Sequence, residues 1–147
     1  MKLSTRGRYG TRALLDLALH HADEPVALKD IAERQEISLA YLEHLIKPLS
    51  AGGILRSVKG PKGGISLAKA PADIKLSDII RLLEGSTAPV ECVENPKLCT
   101  RSGQCVTRDV WEEMNRAMNG VLESITLQTL MERQQSKKTT KDSMYYI

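Results

Sequence analysis

Apolar positions recur at helical spacing in the first third of the chain. Three segments carry this pattern: residues 5–21, 29–35 and 39–51. Ser4 and Ser38 stand where N-caps are expected, and Gly52-Gly53 follows the third segment as a left-handed stop. Each segment therefore predicts an amphipathic helix, and a tight connection separates the second helix from the third.

The helical period then gives way to alternation of apolar and polar residues. Residues 54–58 and 65–67 predict two short strands, and the segment between them, 59–64, is a turn rich in Gly and Pro. Ser77 predicts the N-cap of a further helix over residues 78–83. Helices followed by such a hairpin predict a mainly α fold, a winged helix-turn-helix with a small two-stranded wing.

The second half of the chain changes character. Residues 86–107 lack any period and contain all three cysteines, which predicts an irregular, functional loop. An apolar stripe over residues 109–123 predicts a long helix, and a short helical segment is expected over 127–131. Residues 132–147 are polar and aperiodic, which predicts a disordered tail.

Composition and short motifs narrow the classes of function. The chain has one Trp, four Tyr and no Phe, which argues against RNA modules and barrels that stack single-stranded bases on aromatic rings. No apolar run approaches the roughly 18 residues of a membrane span and no secretory signal is visible, so we expect a cytoplasmic protein. Because no catalytic motif is visible, we expect no enzymatic activity.

Charge is unevenly distributed and favours a polyanionic partner for the front of the chain. The net charge is +4 over residues 1–70, −3 over 71–131 and +2 over 132–147. A helix fits the major groove of duplex DNA, and a narrow wing reaches the minor groove or the phosphates. The candidate DNA-contacting residues are Arg8, Ser38, Ala40, Tyr41, Glu43, His44, Lys47, Lys59, Gly60, Pro61 and Lys62.

Several of these assignments have plainer alternatives. Tyr41 is either a DNA contact or a half-buried core residue, and Glu43 either accepts from cytosine or is a solvated helix residue. The two wing lysines could simply be solvated. Further phosphate-directed charge comes from Arg6, Arg12 and Arg56.

The cysteines form a second constellation. Cys92, Cys99 and Cys105 are separated by six and five residues, which is wider than the usual spacing of paired zinc ligands. Thiolates suit zinc or iron–sulfur clusters, and a 2Fe–2S cluster needs four protein ligands. The spacing favours a 2Fe–2S cluster with one ligand still to be found, while zinc and a metal-free redox thiol loop stay open.

Taken together, these motifs resemble the Rrf2-type winged-helix transcriptional regulators, and among them the regulators that respond to iron–sulfur clusters. The resemblance covers about residues 1–131. The segments that carry it are Met1–Tyr9, Ile31–Gln35, Ile37–Glu43, Val58–Gly64, the three cysteines and Leu122–Leu127. It implies a homodimer on a palindromic operator, a 2Fe–2S cluster on the cysteines, and control of iron–sulfur assembly genes, often by repression.

The chain is expected to divide into four parts, and the resemblance leaves one ligand open. The expected parts are a DNA-binding domain (1–85), a cluster-binding loop (86–107), a dimerisation helix (108–131) and the tail (132–147). The best-known members have a ligating histidine where this chain has Arg108, and others use a carboxylate at the position of Arg8. Candidates for the fourth ligand are Asp109, Glu91, Glu94 and His44.

Other departures concern DNA reading and the signal. His44 stands where the family often has Gln, and Lys59 replaces the wing arginine, losing its planar fork. Two alternative functions remain: a repressor on the same scaffold that senses nitric oxide or redox state, and a small iron–sulfur electron carrier without a DNA role.

Overall fold

A computed structural model of the protein describes residues 2–20 and 24–145. Within that part of the chain, seven α-helices accompany one two-stranded antiparallel sheet. The helices are α1 (Thr5–His20), α2 (Leu28–Gln35), α3 (Leu39–Ala51), α4 (Leu76–Glu84), α5 (Glu91–Glu94), α6 (Val106–Ser124) and α7 (Leu127–Tyr145). The strands are β1 (Leu55–Val58) and β2 (Gly64–Leu67). The mainly α winged fold is confirmed; the predicted end of the first helix at residue 21 lies outside the described residues.

The hydrophobic core lies between α1, α2, α3, α4 and the base of the wing. The predicted inward face of α3 is confirmed, since Leu42, Leu45 and Leu49 are fully buried and Ile46 is nearly so. Leu127 adds a buried side chain from the far end of the sequence, and its burial fastens the start of α7 to this core. None of the helices in the described ranges is long and apolar enough to cross a membrane.

The wing is hydrogen-bonded to the segment that precedes α2. Leu55 pairs with Leu67 in the antiparallel register, and Val26 exchanges two backbone hydrogen bonds of 2.9 Å with Ile65. A Cβ at Gly64 would overlap the carbonyl group of Val26, so only glycine permits this approach. The wing therefore has a fixed position beside the helix-turn-helix.

One carboxylate joins the first and fourth helices. Glu84, the last residue of α4, accepts hydrogen bonds from the backbone N–H groups of Ser4 at 3.1 Å and Gly7 at 2.9 Å, and from the Ser4 hydroxyl. The Ser4 hydroxyl oxygen also accepts from the Arg6 N–H at 3.1 Å, which confirms Ser4 as a cap of α1. The start of α1 is thus fixed to the point where the cysteine segment leaves α4.

The prediction of a disordered tail over residues 132–147 is wrong for most of that segment. Residues up to 145 continue α7, which begins at Leu127; residues 146–147 lie outside the described part. The segment contains neither Gly nor Pro, and its first turn is anchored by Leu127. A polar helix that starts from a packed turn needs no apolar face of its own, so periodicity did not reveal it.

Two helix starts also differ from expectation. Ser77 is not a cap: α4 begins at Leu76 after Lys75, and the Ser77 side chain lies buried inside the helix. The reason is tertiary, because the Leu76 N–H donates to the Ile125 carbonyl at 2.8 Å and fixes the chain there. Helix α6 begins at Val106, directly after Cys105, rather than at residue 109.

The segment 86–107 is less irregular than expected. It contains α5 and two single 3₁₀ turns, Pro96–Leu98 and Ser102–Gln104. Cys92 lies in α5, Cys99 follows the first 3₁₀ turn, and Cys105 precedes α6. We call residues 86–107 the cysteine loop.

Candidate functional site

The recognition face is the solvent side of α3. Ser38 caps this helix, its hydroxyl accepting the Tyr41 N–H at 3.1 Å, as predicted. The exposed side chains that follow at helical spacing are Ala40, Glu43, His44 and Lys47. Because they lie on one face next to the helix start, they have the placement that a major-groove reading helix requires.

The wing tip adds a second exposed surface. Lys59, Gly60, Pro61 and Lys62 are all exposed, and the Gly63 N–H closes the turn on the Gly60 carbonyl at 2.9 Å. Gly60 has a φ of 111°, a conformation that favours glycine. Arg8 is exposed on α1. Contact of any of these residues with DNA stays a prediction.

Tyr41 is packed more deeply than its neighbours on α3. Its ring lies edge-on to that of Tyr9, with centroids 6.2 Å apart and an interplanar angle of 84°. Its hydroxyl oxygen is buried and has no hydrogen-bond partner among the described residues. This arrangement favours the core alternative for Tyr41, and only packing between helices reveals it.

An ion pair between the buried Asp16 and the partly exposed Arg34 joins α2 to α1. The Asp16 carboxylate accepts from Arg34 Nη2 at 2.7 Å and Nε at 3.0 Å, and from Gln35 Nε2 at 3.1 Å. The hydrogen bond to Asp16 is the main reason that the pKa of Arg34 is raised. Since Asp16 is buried, these charge-assisted bonds hold α2 against α1.

The three cysteines of the loop are free and half-buried. Cys105 Sγ lies 3.2 Å from Thr107 Oγ1. The pKa of Cys105 is lowered, first by this hydrogen bond and then by one from the Arg108 backbone, because both stabilise the thiolate. Cys105 is therefore disposed to act as a thiolate, the form that binds metals and reacts.

The thiols of the loop are suitable ligands for a soft metal, but the described structure does not bring them close together. Three thiols in one segment match the ligands that iron–sulfur clusters use. In the described ranges no three His, Cys, Asp or Glu side chains lie close enough together to hold a metal ion. That holds for the candidate fourth ligands too: Asp109, Glu91, Glu94 and His44.

Arg108 makes structural contacts that hold the cysteine loop. Its side chain is only 14% exposed; Nε donates to the carbonyl oxygen of Cys92 at 3.0 Å and Nη1 lies 3.4 Å from Glu112 Oε2. A second tie joins Thr87 Oγ1 to Asn119 Oδ1 at 3.2 Å. Both ties hold the cysteine loop against α6. The sequence indicated only that Arg108 cannot be a ligand. Its contacts were not predictable, because one partner lies sixteen positions earlier in the chain and the other lies on the next helical turn.

One face of α6 carries apolar side chains that are uncovered in the single chain. Val106, Val110 and Val121 are 76%, 50% and 58% exposed, and Trp111 is 37% exposed. None of the residues of this helix is buried, although all of them are described. A helix with such a face is expected to bury it against a partner.

Comparison with known proteins identifies the family. A profile described as Rrf2, iron-dependent transcriptional regulator, matches residues 3–133. The Rrf2 protein of Nitratidesulfovibrio vulgaris is 48% identical over 131 residues, which are 89% of this chain and 87% of that protein.

Two solved structures share both sequence and fold with this chain. IscR of T. potens is 44% identical with a TM-score of 0.74, over 90% of this chain and 88% of that one. CymR, described as the global cysteine regulator of B. subtilis, is 38% identical with a TM-score of 0.76, over 90% of this chain and 98% of that one. The chain therefore belongs to the Rrf2 family of iron-dependent transcriptional regulators.

Proposed function

We propose that this regulator senses iron–sulfur cluster status through a 2Fe–2S cluster held by Cys92, Cys99 and Cys105, and that it controls iron–sulfur assembly genes. The observation that carries the proposal is the position of three free thiols in one loop, between the DNA-binding helices and the apolar helix α6. The family to which the chain belongs is one of transcriptional regulators, which leaves the electron-carrier alternative without support.

The DNA-binding unit is a homodimer on a palindromic operator. The exposed apolar face of α6 is the surface that a second copy would cover. Two copies related by a twofold axis present two α3 helices, which suits half-sites about one helical turn apart, roughly 34 Å. The residues that contact the operator are those of the recognition face, the wing tip and Arg8.

The cysteine loop follows a helix that is fixed to the DNA-binding helices. The loop leaves α4 directly after Glu84, whose carboxylate holds the start of α1, and α4 also packs on α3. The first part of the loop is tied to α6, because Arg108 of that helix donates to the Cys92 carbonyl. A change in the loop therefore reaches both the reading helix and the dimer contact.

Cys92, Cys99 and Cys105 would hold the cluster, and the fourth ligand comes from Asp109, Glu91, Glu94, His44, the partner copy or an exogenous group. When bound, a 2Fe–2S cluster supplies bonds that join distant parts of the loop and a one-electron redox couple. The proposal requires that the three thiols come together on binding, which the described arrangement does not show. The lowered pKa of Cys105 favours its thiolate as a ligand.

Three single substitutions test the cofactor assignment. Cys92→Ala, Cys99→Ala and Cys105→Ala are each purified without oxygen, and iron and acid-labile sulfide per chain are measured with the visible absorption spectrum. We expect each variant to lose most of its iron and sulfide. Thr100→Ala, in the same loop but without a thiol, is the matched control and should keep both. Unchanged iron in all three cysteine variants would refute the assignment.

A thiol-based redox sensor on the same scaffold is the second candidate. The lowered pKa of Cys105 favours it, because thiolates are the reactive form. In this case peroxide oxidises two loop thiols to a disulfide and is itself reduced to water. Metal-free protein should then change its DNA affinity after peroxide and recover it with dithiothreitol, whereas a cluster sensor needs iron for any such change.

A further inference from the structure

We propose that Arg12 is a phosphate-contacting residue of the DNA-binding surface, held in place by Tyr9 and Gln35, and that Tyr41 supports this group from below instead of donating a hydrogen bond to DNA. The inference rests on the proposed DNA-binding function and assigns one further contact within it. The ligand is the phosphodiester backbone of duplex DNA.

The Arg12 guanidinium is held from two sides. Its central carbon lies 5.3 Å from the centroid of the Tyr9 ring, within the range of a cation–π contact. Its Nε donates to Gln35 Oε1 at 3.1 Å, at the end of α2. Gln35 is itself fixed, because its Nε2 donates to the buried Asp16 carboxylate at 3.1 Å. A long, exposed side chain is thereby restricted in its rotamers before any ligand arrives.

The outer edge of this guanidinium is left for an anion. Arg12 makes no ion pair with a carboxylate in residues 2–20 and 24–145, in contrast to Arg34. The single described hydrogen bond uses Nε, so the two Nη groups keep their donors for another acceptor. Planar, forked donors of this kind match phosphate oxygens.

The position of Arg12 indicates the phosphate backbone and not the base edges. Arg12 stacks on Tyr9, and Tyr9 packs on Tyr41 at the first turn of α3, so the guanidinium lies beside the start of the reading helix. It belongs to α1, which flanks the reading helix. In helix-turn-helix complexes, flanking helices contact the backbone while the reading helix occupies the groove.

Tyr41 has a supporting role in this arrangement. Its hydroxyl oxygen is buried without a described partner, so it donates to nothing on the surface. Its ring edge supports Tyr9, which in turn carries Arg12. Loss of the hydroxyl alone should therefore leave DNA binding unchanged.

The experiment measures the affinity of the full chain for a short mixed-sequence DNA duplex over a series of salt concentrations. A phosphate contact does not depend on sequence, so no operator is needed. We expect Arg12→Gln to weaken binding about tenfold at low salt. The plot of log affinity against log salt should become less steep, by about 0.9 per protomer. Arg12→Lys, which keeps the charge, should keep the slope and weaken binding less.

Two controls separate contact from net charge and from folding. Arg116→Gln makes the same charge change at an exposed residue of α6 and should keep the wild-type slope. Tyr41→Phe is a test of the supporting role and not a control: it keeps the ring and removes only the hydroxyl, so we expect it to bind as the wild type does. Melting followed by circular dichroism verifies that each variant is folded.

An unchanged slope in Arg12→Gln, an equal loss in Arg116→Gln, or weaker binding by Tyr41→Phe would overturn this inference while leaving the proposed function intact. Failure of the wild-type chain to bind any duplex would overturn both.

Discussion

Arg108 holds the backbone at Cys92, and Thr107 contacts the thiol of Cys105. The Arg108 side chain reaches back to the Cys92 carbonyl, and its ion pair with Glu112 keeps the guanidinium in that place. Thr107 stabilises the thiolate of Cys105. Neither residue is a metal ligand, yet both lie within three positions of Cys105 and control how the loop is presented. Such neighbours orient ligands in many metal sites.

Replacing Arg108 should release the first part of the loop. In metal-free protein, Arg108→Gln removes the Nε donor to the Cys92 carbonyl and the ion pair with Glu112. We expect iodoacetamide to modify Cys92 several-fold faster in this variant than in the wild type. Peptide mass spectrometry measures the rate. Arg101→Gln, an exposed arginine of the same loop, serves as control and should leave the rate unchanged. Equal rates for Cys92 in Arg108→Gln and wild type would show that the tie does not restrain the loop.

Replacing Thr107 should change the acidity of one thiol. Thr107→Val removes the hydroxyl that most lowers the pKa of Cys105, so this pKa rises and the thiolate fraction at neutral pH falls. The rate of Cys105 alkylation, measured against pH in metal-free protein, should reach half its maximum at a higher pH than in the wild type. Thr100→Val is the control. A midpoint that does not move would mean that the hydroxyl has no part in the thiol's acidity.

At the scale of elements, the contact between α1 and α4 joins the first and last helices of the predicted DNA-binding domain. Glu84 ends one helix and caps the other, and Gly7 allows the close approach because a Cβ there would overlap the carboxylate. A single side chain thus satisfies two backbone N–H groups at a helix start. The cysteine loop departs from the next residue, so this contact is where a change in the loop first meets the DNA-binding domain.

Removing the Glu84 carboxylate should destabilise the fold measurably. Glu84→Ala leaves the Ser4 and Gly7 N–H groups without their acceptor, and we expect the free energy of unfolding to fall by about 2 kcal/mol. Glu84→Gln keeps one acceptor oxygen and should cost less. Urea unfolding followed by circular dichroism measures both. Equal stability of Glu84→Ala and the wild type would contradict the capping role.

Local signals made some elements predictable and hid others. The bounds of α3 were predictable from the N-cap at Ser38 and the left-handed glycine at Gly53, because both signals are visible in the local sequence. The start of α4 was not predictable, because a hydrogen bond from Leu76 to Ile125 overrides the capping tendency of Ser77. Helix α7 was missed because its polar residues form a helix without any periodic apolar face.

The candidate site divides in the same way. The exposed face of α3 and the narrow wing were predictable from residue types and spacing, since helix period and turn chemistry are local. The buried hydroxyl of Tyr41 and the tie from Arg108 to Cys92 were not, because each depends on a partner in another element. Such contacts arise only when the helices pack.

At the scale of the whole molecule, the elements follow one another in functional order. The DNA-binding helices and wing come first, then the cysteine loop, and then α6 with its exposed apolar face. The loop follows α4, which Glu84 fixes to α1, and the Cys92 carbonyl near the start of the loop is held by Arg108 of α6. The proposed sensor requires this order, because a loop between the reading helices and the surface proposed for dimerisation can couple to both.

The most direct test compares the DNA affinity of cluster-loaded and metal-free protein under anaerobic conditions. Duplexes are first selected from a random-sequence library with each form, and the dissociation constants of both forms are then measured on every selected duplex. We expect at least one class of duplex on which the two forms differ by about fivefold or more, equivalent to a coupling of about 1 kcal/mol. Identical constants on every duplex would contradict the account.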